Sequence, residues 1–380
     1  MAYFANRAVN LLNLHYAIHS VALFGSGAFF FVYLLKAGVP VPGVLASLAG
    51  ILAGRFLIRP AVVPAAARFG LRPVLIVGTL FTALQFPLLA MVDGIGPALF
   101  ALCAVASVGD TLYWTSYHAT FASLGDLEHR GHQISAREAV VAAIGIVSPV
   151  VTGWALVTFG PRIAFGATAL VQVAAALPLL GIPNIPVARD VPGAIKAALP
   201  GILLFITDGW ITTGFVVVWQ IGLFLTLGES FLAYGGALAV AAVAGAAGGL
   251  ALGRFIDRGH GLKVLWLAVL ALAAAISLRA GALGNPALAV VANATGAFVL
   301  CLYMPMLMTA VYNQSKQAPC TLRFHVATEG GWDAGGSAAC LITAAAVSQG
   351  APLVAGVLLA LLGAVATFIL LRRYYKRVSP

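Results

Sequence analysis

Charged side chains inside long apolar runs are the residues of this sequence with the clearest chemical potential, because a charge removed from water is costly and usually functional. Arg55 and Arg59 lie four positions apart and would share one helix face. Arg59 precedes Pro60, which fits a helix end from which the arginine reaches back to water. Arg55 lies deeper and offers planar donors that suit a carboxylate or a phosphate. Asp110, in another apolar run, is its natural partner, as a static pair or as one that protonation opens.

His15 and His19 form a second polar group, again four positions apart on one face of a helix. Such a pair could bind a metal, but a third ligand is needed and no other run offers an obvious one. Hydrogen-bonded histidines in a cavity, or a proton relay, are the better interpretations, since imidazole titrates near neutral pH. Asp208 adds a carboxylate in a later apolar run. We predict a proton-coupling set of His15, His19, Asp110 and Asp208, with no catalytic residue, metal or cofactor.

Aromatic side chains follow Asp110 along the same run, at Tyr113, Trp114 and Tyr117. They offer a stacking surface for an organic ligand, although aromatic residues on an inner helix also serve as packing. Together with Arg55, they begin a predicted substrate-binding set. The arginine favours an anionic or amphipathic solute.

The composition places these residues in a membrane protein. Of the 380 residues, 62% are hydrophobic and only 8% are charged, against about 25% charged in soluble chains. Runs of about 20 apolar residues cross the hydrocarbon as helices, which satisfy their own backbone. Twelve such spans can be drawn: Leu11–Leu35, Val41–Val63, Pro73–Val92, Pro97–Phe121, Ala139–Phe159, Ile163–Ile182, Leu199–Leu225, Phe231–Leu252, Val264–Ala280, Pro286–Tyr312, Gly330–Val347 and Pro352–Leu371.

The net charge of +10 indicates orientation and excludes a nucleic-acid partner. When the spans alternate from a cytoplasmic N-terminus, most of the 21 basic residues fall on the cytoplasmic side. Only Lys36, Arg162 and Arg279 are expected on the outer side. We therefore expect a multi-pass protein of the bacterial inner membrane with both termini in the cytoplasm.

An internal repeat relates the two halves of the chain. Arg68 and Arg258 lie 190 positions apart, half the length of the chain. The same offset relates Leu112-Tyr113 to Leu302-Tyr303 and Gly145 to Gly335, and it places Asp208 opposite Ile18, beside His19. Such self-similarity predicts a duplicated unit. A carboxylate on one half facing imidazoles on the other would couple protonation to motion of the halves.

A charged turn between apolar runs identifies a resemblance to a family. The pattern G-x-x-x-D-R-x-G-x-(K/R), which resembles the signature of the major facilitator superfamily, occurs here as Gly253, Asp257, Arg258, Gly261 and Lys263. The first-half copy keeps Arg68, Gly70 and Arg72 but has Ala67 in place of the aspartate. The resemblance implies a gating role for Arg68, Arg72, Asp257, Arg258 and Lys263, with unequal gating by the two halves.

The resemblance also implies an all-α membrane fold of 12 transmembrane helices in two parallel-repeat bundles that rock about a central site. We expect bundles at residues 1–182 and 199–380, joined by a cytoplasmic linker at 183–198. In the superfamily, helices one, four, seven and ten line the cavity. This adds Trp210 and Tyr303 to the substrate-binding set of Arg55, Tyr113, Trp114 and Tyr117.

The predicted function is alternating-access secondary transport of a small organic solute, coupled to protons or to another ion, by a monomer in the lipid bilayer. Export is slightly favoured by Gly145 to Gly153, which resembles a degenerate antiporter motif. The fourth span lacks the arginine that proton-coupled exporters of the family commonly carry there. Proton-coupled uptake of a small metabolite or a metal complex is the alternative. A membrane-embedded metalloenzyme is an alternative of another class, for which the histidine pair is the only start.

Overall fold

The structure, a computed structural model, describes residues 6–124, 130–188, 191–256 and 261–378, and these are almost entirely helical without a β-strand. Two compact units are formed. The first consists of Met1–Gly38 and Gly54–Val191, and the second of Val39–Ala53 and Pro192–Pro380. The predicted division at residues 183–198 stays a prediction.

The helices up to the sixth predicted span are α1 Arg7–Phe24, α2 Phe30–Lys36, α3 Val41–Ile58, α4 Val62–Phe69, α5 Leu71–Ala90, α6 Pro97–Leu124, α7 Arg130–Thr158, α8 Gly160–Ala174 and α9 Ala176–Leu179. Short 3₁₀ turns, Ser26–Phe29 and Arg59–Ala61, continue α1 into α2 and α3 into α4. Asn6 caps α1 by accepting a hydrogen bond from the amide of Val9 at 3.1 Å, which satisfies one of the donors that a helix start leaves open.

The helices after the linker are α10 Ala194–Thr212, α11 Trp219–Thr226, α12 Phe231–Ile256, α13 Gly261–Ala282, α14 Pro286–Gln317, α15 Thr321–Ser348, α16 Leu353–Leu358 and α17 Ala360–Val378. A π-helical turn, Thr213–Val218, joins α10 to α11 without a break. Asn285 caps α14, with Pro286 at the first helical position, where its missing amide hydrogen costs nothing.

Eleven helical segments of the described residues are long and apolar enough to cross a membrane. The helix of the remaining predicted span, α15, has 28 residues and is long enough as well. It begins with Thr321, Arg323 and His325 and contains Glu329 and Asp333, so its composition is less apolar. The helices are thus consistent with the twelve predicted spans.

Two helices begin nine residues before the spans predicted within them, although the apolar part of α7, Val140–Thr158, agrees with the predicted Ala139–Phe159. α7 begins at Arg130 and α15 at Thr321, where the sequence predicts Ala139 and Gly330. In both cases the helix starts in polar sequence, because backbone hydrogen bonding continues beyond the apolar part that hydropathy detects. The loop before α15 is therefore short, with α14 ending at Gln317.

Candidate functional site

Asp208 is the centre of a buried polar cluster in the second unit. Its Oδ1 accepts a hydrogen bond from the hydroxyl of Tyr303 at 3.0 Å, and its Oδ2 accepts one from Nε1 of Trp332 at 3.1 Å. Asp208 is 7% exposed and Tyr303 is 1% exposed. The three side chains come from α10, α14 and α15, so the cluster joins three helices at one carboxylate.

Close contact between α10 and α15 places Trp332 beside Asp208. A Cβ atom added to Gly209 would meet the carbonyl oxygen of Trp332, and one added to Gly335 would meet the carbonyl oxygen of Ile206. Glycine at these two positions lets the helix backbones touch, as small residues do where no hydrophobic effect drives helices together in lipid. The Asp208 cluster therefore depends on glycines that carry no chemistry themselves.

Gly209→Ala is expected to separate α10 from α15 and to lower the stability of the protein by about 1–3 kcal/mol, the cost of an overpacked contact. Thermal unfolding of the purified protein measures the effect. The matched control is Gly236→Ala in α12, since a Cβ there meets nothing within 4 Å. Equal melting temperatures for the two variants would show that α10 and α15 are not in close contact at Gly209.

The cluster binds its carboxylate through neutral donors. Within the described ranges, Asp208 has no lysine, arginine or histidine in salt-bridge contact. A buried carboxylate is costly unless hydrogen bonds or a counter-charge offset the loss of water. Tyr303 and Trp332 supply the hydrogen bonds. A proton is a counter-charge that the carboxylate can gain or lose without another side chain moving.

His15 and His19 lie buried in the first unit, with rings stacked 6.1 Å apart between centroids. Nδ1 of His15 lies 2.7 Å from the carbonyl oxygen of Ala175, and Nε2 lies 3.1 Å from the hydroxyl of Tyr113. A carbonyl can only accept, so Nδ1 of His15 carries a hydrogen. In the neutral ring Nε2 is then an acceptor, and Tyr113 donates to it.

Gln172 orients the second histidine. Nδ1 of His19 is 3.1 Å from Oε1 of Gln172, whose Nε2 points to the carbonyl oxygen of Thr79 at 3.5 Å. The amide nitrogen thus faces a carbonyl and the amide oxygen faces the imidazole, so Nδ1 of His19 carries the hydrogen. Nε2 of His19 is buried without a hydrogen-bond partner among the described residues. It is an open acceptor for a proton.

The predicted aromatic surface packs against these histidines. His19 stacks on Tyr113 with 4.1 Å between ring centroids, and Tyr113 lies parallel to Tyr117 at 5.8 Å. Trp114 meets Tyr113 edge to face at 5.1 Å. Tyr113 and Tyr117 belong to a hydrophobic core with Leu12, Leu75, Leu179 and Ile182, against which Trp114 is only partly buried. Of the three, Trp114 has the most surface for a solute.

The two arginines of the second predicted span both have partners on α6. Nη1 of Arg55 lies 3.5 Å from Oδ2 of Asp110, with the two side chains 12% and 27% exposed. Arg59 is 2% exposed and donates from Nη1 to the hydroxyl of Thr115 at 3.1 Å. Arg59 therefore turns into the protein and does not reach back to water. Arg55 and Asp110 form a partly accessible ion pair.

Trp210 and the predicted gating residues lie outside the clusters described above. The indole Nε1 of Trp210 donates to the carbonyl oxygen of Leu359 at 2.8 Å, within the second unit. Lys263 is exposed near the start of α13. Asp257 and Arg258 lie outside the described residues. Arg68 is exposed and lies over the ring of Phe69, 5.2 Å from its centroid.

The first charged turn is fastened to the start of the linker. Gly70 separates α4 from α5 with φ of 84°, a conformation that suits glycine. Asn184 donates to the carbonyl oxygen of Phe69 at 2.8 Å and accepts from the amide of Arg72 at 3.2 Å. Nη1 of Arg72 donates to the carbonyl oxygen of Ile182 at 3.1 Å. The turn and the end of the sixth span therefore hold each other in place.

Asn184→Ala removes two of these hydrogen bonds and is expected to loosen the turn. We expect amides around Gly70 to exchange about thirtyfold faster with solvent, since each of the two lost bonds is worth about 1 kcal/mol. Hydrogen–deuterium exchange by mass spectrometry measures this change. Asn10→Ala on α1 is a control for an asparagine remote from the turn. Unchanged exchange in Asn184→Ala would show that the contact does not hold the turn.

Some residues of these clusters are absent from the sequence-based set: Gln172, Asn184, Arg279 and Trp332. Gln172 is a polar residue in an apolar run, and this pattern could have indicated it as a candidate site residue. Trp332 precedes Asp333 in the weakly apolar α15. The sequence predicts Arg279 on the outer side, which stays a prediction, and the structure adds that its side chain is 4% exposed within α13. In the described part of the chain, no three histidine, cysteine or acidic side chains converge as a metal site would require.

Apolar helices of membrane length, with polar side chains buried between them, define a multi-pass membrane protein. The sequence profile of the Major Facilitator Superfamily matches residues 12–320. The chain belongs to this superfamily, which confirms the predicted fold class and makes it a secondary transporter and not an enzyme.

Solved structures show the same fold at low sequence identity. The POT family transporter PepTSo matches with a TM-score of 0.71 and 10% identity, covering 98% of this chain and 99% of its own. An auto-inhibited POT family peptide transporter gives 0.67 and 12%, covering 98% and 97%. The nucleoside transporter NupG, in mutant form, gives 0.64 and 13%, covering 97% and 98%. No curated protein sequence matches the chain.

Proposed function

We propose that this transporter couples the movement of a small organic solute to protons, with the Asp208 carboxylate as the group that binds and releases the proton. The observation that carries the proposal is the pair of neutral donors, Tyr303 and Trp332, around a buried carboxylate. Protonation changes the charge of a cluster that joins α10, α14 and α15. It therefore changes the interactions that hold these three helices together.

The histidines of the first unit are proposed as a second protonation site. His19 presents a buried acceptor nitrogen, and His15 holds Tyr113 through its own Nε2. A proton on His15 would turn its Nε2 from an acceptor into a donor and reverse the hydrogen bond to Tyr113, whereas a proton on His19 would add a donor at its open Nε2. Asp110 is paired with the fixed charge of Arg55, so it is the weaker candidate for proton coupling.

For the solute, we propose an anionic or amphipathic organic molecule that approaches Arg55, which keeps 12% exposure in its ion pair. An anion could take the place of Asp110 on the guanidinium, whose planar donors fit a carboxylate or a phosphate. Trp114 lies one helical turn beyond Asp110 and provides partly exposed aromatic surface. Tyr113 and Tyr117 pack beside Trp114 in the first unit. The solute-binding roles of Trp210 and Tyr303, in the second unit, stay predictions.

Direction, orientation and assembly remain part of the proposal. We retain export as the favoured direction on the sequence from Gly145 to Gly153, with uptake of a small metabolite or metal complex as the second candidate. The loop before this segment includes residues outside the described ranges. A bacterial inner-membrane location with cytoplasmic termini follows from the distribution of basic residues. We propose that the monomer is the working unit.

Thermal stabilisation of the purified protein by a library of solutes, at two pH values, tests the substrate class. We expect anionic solutes to raise the melting temperature of the wild type and to lose this effect in Arg55→Ala. The control is Arg162→Ala, which removes an arginine from another helix. Equal stabilisation of Arg55→Ala and the wild type would remove Arg55 from the solute site.

A further inference from the structure

A buried arginine in the second unit has no role in the function proposed above. Arg279 lies in the last turn of α13, is 4% exposed, and forms no salt bridge within the described part of the chain. Its guanidinium lies over the ring of Phe215, 3.8 Å from the centroid, and 5.2 Å from the ring centroid of Trp219. Cation–π contacts of this kind stabilise a charge that is removed from water.

The same guanidinium binds the backbone of the π-helical turn. In an α-helix, the amide of Trp219 would donate to the carbonyl oxygen of Phe215. Here the amide of Trp219 donates to the carbonyl oxygen of Val216 instead. Nη1 of Arg279 donates to the carbonyl oxygen of Phe215. It takes the place of the Trp219 amide, which does not donate to Phe215 in the π-helical turn.

Neighbouring helices are built to accommodate this contact. Gly296 on α14 leaves the space for the guanidinium, because a Cβ there would meet Nη2 of Arg279. Trp219 is itself fixed by a hydrogen bond from Nε1 to Oδ1 of Asn293 at 2.9 Å. Asn293 in turn donates to the carbonyl oxygen of Ala237 on α12 at 3.1 Å.

We infer that Arg279 is a positioning residue that stabilises the π-helical turn Thr213–Val218 and, through it, the position of Asp208 on the preceding helix. Asp208 lies five residues before the turn on a continuous helical segment. An extra residue per turn shifts the direction of the side chains that follow it relative to those that precede it. Without Arg279 the segment can return to α-helical bonding, which rotates α10 against α11.

The structural test is hydrogen–deuterium exchange of the full-length protein, and it does not depend on transport. Arg279→Gln and Gly296→Ala are expected to raise exchange in residues 213–219 about tenfold or more, because a buried hydrogen bond from a charged donor is lost or displaced. Arg279→Lys keeps the charge and a donor but loses the planar stack, so it should fall between the wild type and Arg279→Gln. Gly281→Ala, on the helix of Arg279, meets nothing within 4 Å and should match the wild type.

Transport separates positioning from general stability, and this second arm rests on the proposed role of Asp208. Gradient-driven accumulation of solute should fall in Arg279→Gln and Gly296→Ala, while exchange of solute between the two sides continues at the wild-type rate. If Arg279→Gln does not fold, Gly296→Ala carries the test. The inference would be overturned if hydrogen–deuterium exchange of residues 213–219 in these variants matched the wild type, or if it increased uniformly over all helices. If Asp208→Asn does not affect coupled transport, the proposed function of Asp208 is wrong. The hydrogen–deuterium exchange test of Arg279 then still stands, because it does not depend on transport.

Discussion

Asp208→Asn is expected to abolish proton-driven accumulation of solute and to leave solute exchange across the membrane in place. Asparagine keeps the shape of the side chain, and its oxygen can still accept from Tyr303, but it cannot bind or release a proton at neutral pH. A proton gradient then cannot favour one conformational state of the transport cycle over the other. Accumulation against a gradient measures the loss, and counterflow of labelled solute measures the exchange.

Two conservative variants serve as controls for Asp208→Asn. Tyr303→Phe and Trp332→Phe each remove one donor and keep the carboxyl group, so accumulation should slow without being lost. Each leaves one hydrogen bond to Asp208. If Asp208→Asn accumulates solute as the wild type does, Asp208 does not carry the coupling proton, whatever the two donor variants show.

His15→Phe is expected to destabilise the first unit. It removes the imidazole that the carbonyl oxygen of Ala175 and the hydroxyl of Tyr113 contact, in a fully buried position. Each hydrogen bond that is lost is worth about 0.5–1.5 kcal/mol, so the sum is about 1–3 kcal/mol. Thermal unfolding of the purified protein gives the measurement, and a fall in melting temperature is the expected result.

His118→Phe is the matched control, because His118 is exposed on α6 and phenylalanine can keep its stack on Trp114. A melting temperature of His15→Phe equal to that of His118→Phe would contradict the hydrogen-bond account. The predicted role of His15 in proton coupling is tested separately, by measuring solute accumulation below the melting temperature of His15→Phe. Proton-driven accumulation at the wild-type level would remove His15 from the proton-coupling set and leave its structural role intact.

Single residues of the candidate site could be proposed from the sequence because a charge in an apolar run is conspicuous. Asp208, Asp110 and Arg55 were identified in this way, and His15 and His19 by their spacing. The family could be predicted from one charged turn, from Gly253 to Lys263, and its fold from the length and number of apolar runs. These signals are local, so one sequence carries them.

Partners across helices could not be predicted, because they depend on which helices pack together and at what height. Trp332 lies 124 positions from Asp208, and its approach depends on Gly209 and Gly335. The burial of Arg279 could not be predicted because it lies near the end of a span, where hydropathy does not distinguish a buried arginine from an exposed one. Its actual partner is a backbone carbonyl in a π-helical turn, for which the sequence has no established pattern.

The central claim is that the Asp208 carboxylate carries a proton with each transported solute. Proton flux in proteoliposomes tests it most directly, with a pH indicator trapped inside and a solute identified by thermal stabilisation added outside. The account predicts a solute-dependent pH change in the lumen for the wild type and none for Asp208→Asn, although that variant still exchanges labelled solute. A pH change of wild-type size in Asp208→Asn, or wild-type solute movement without any pH change, would contradict it.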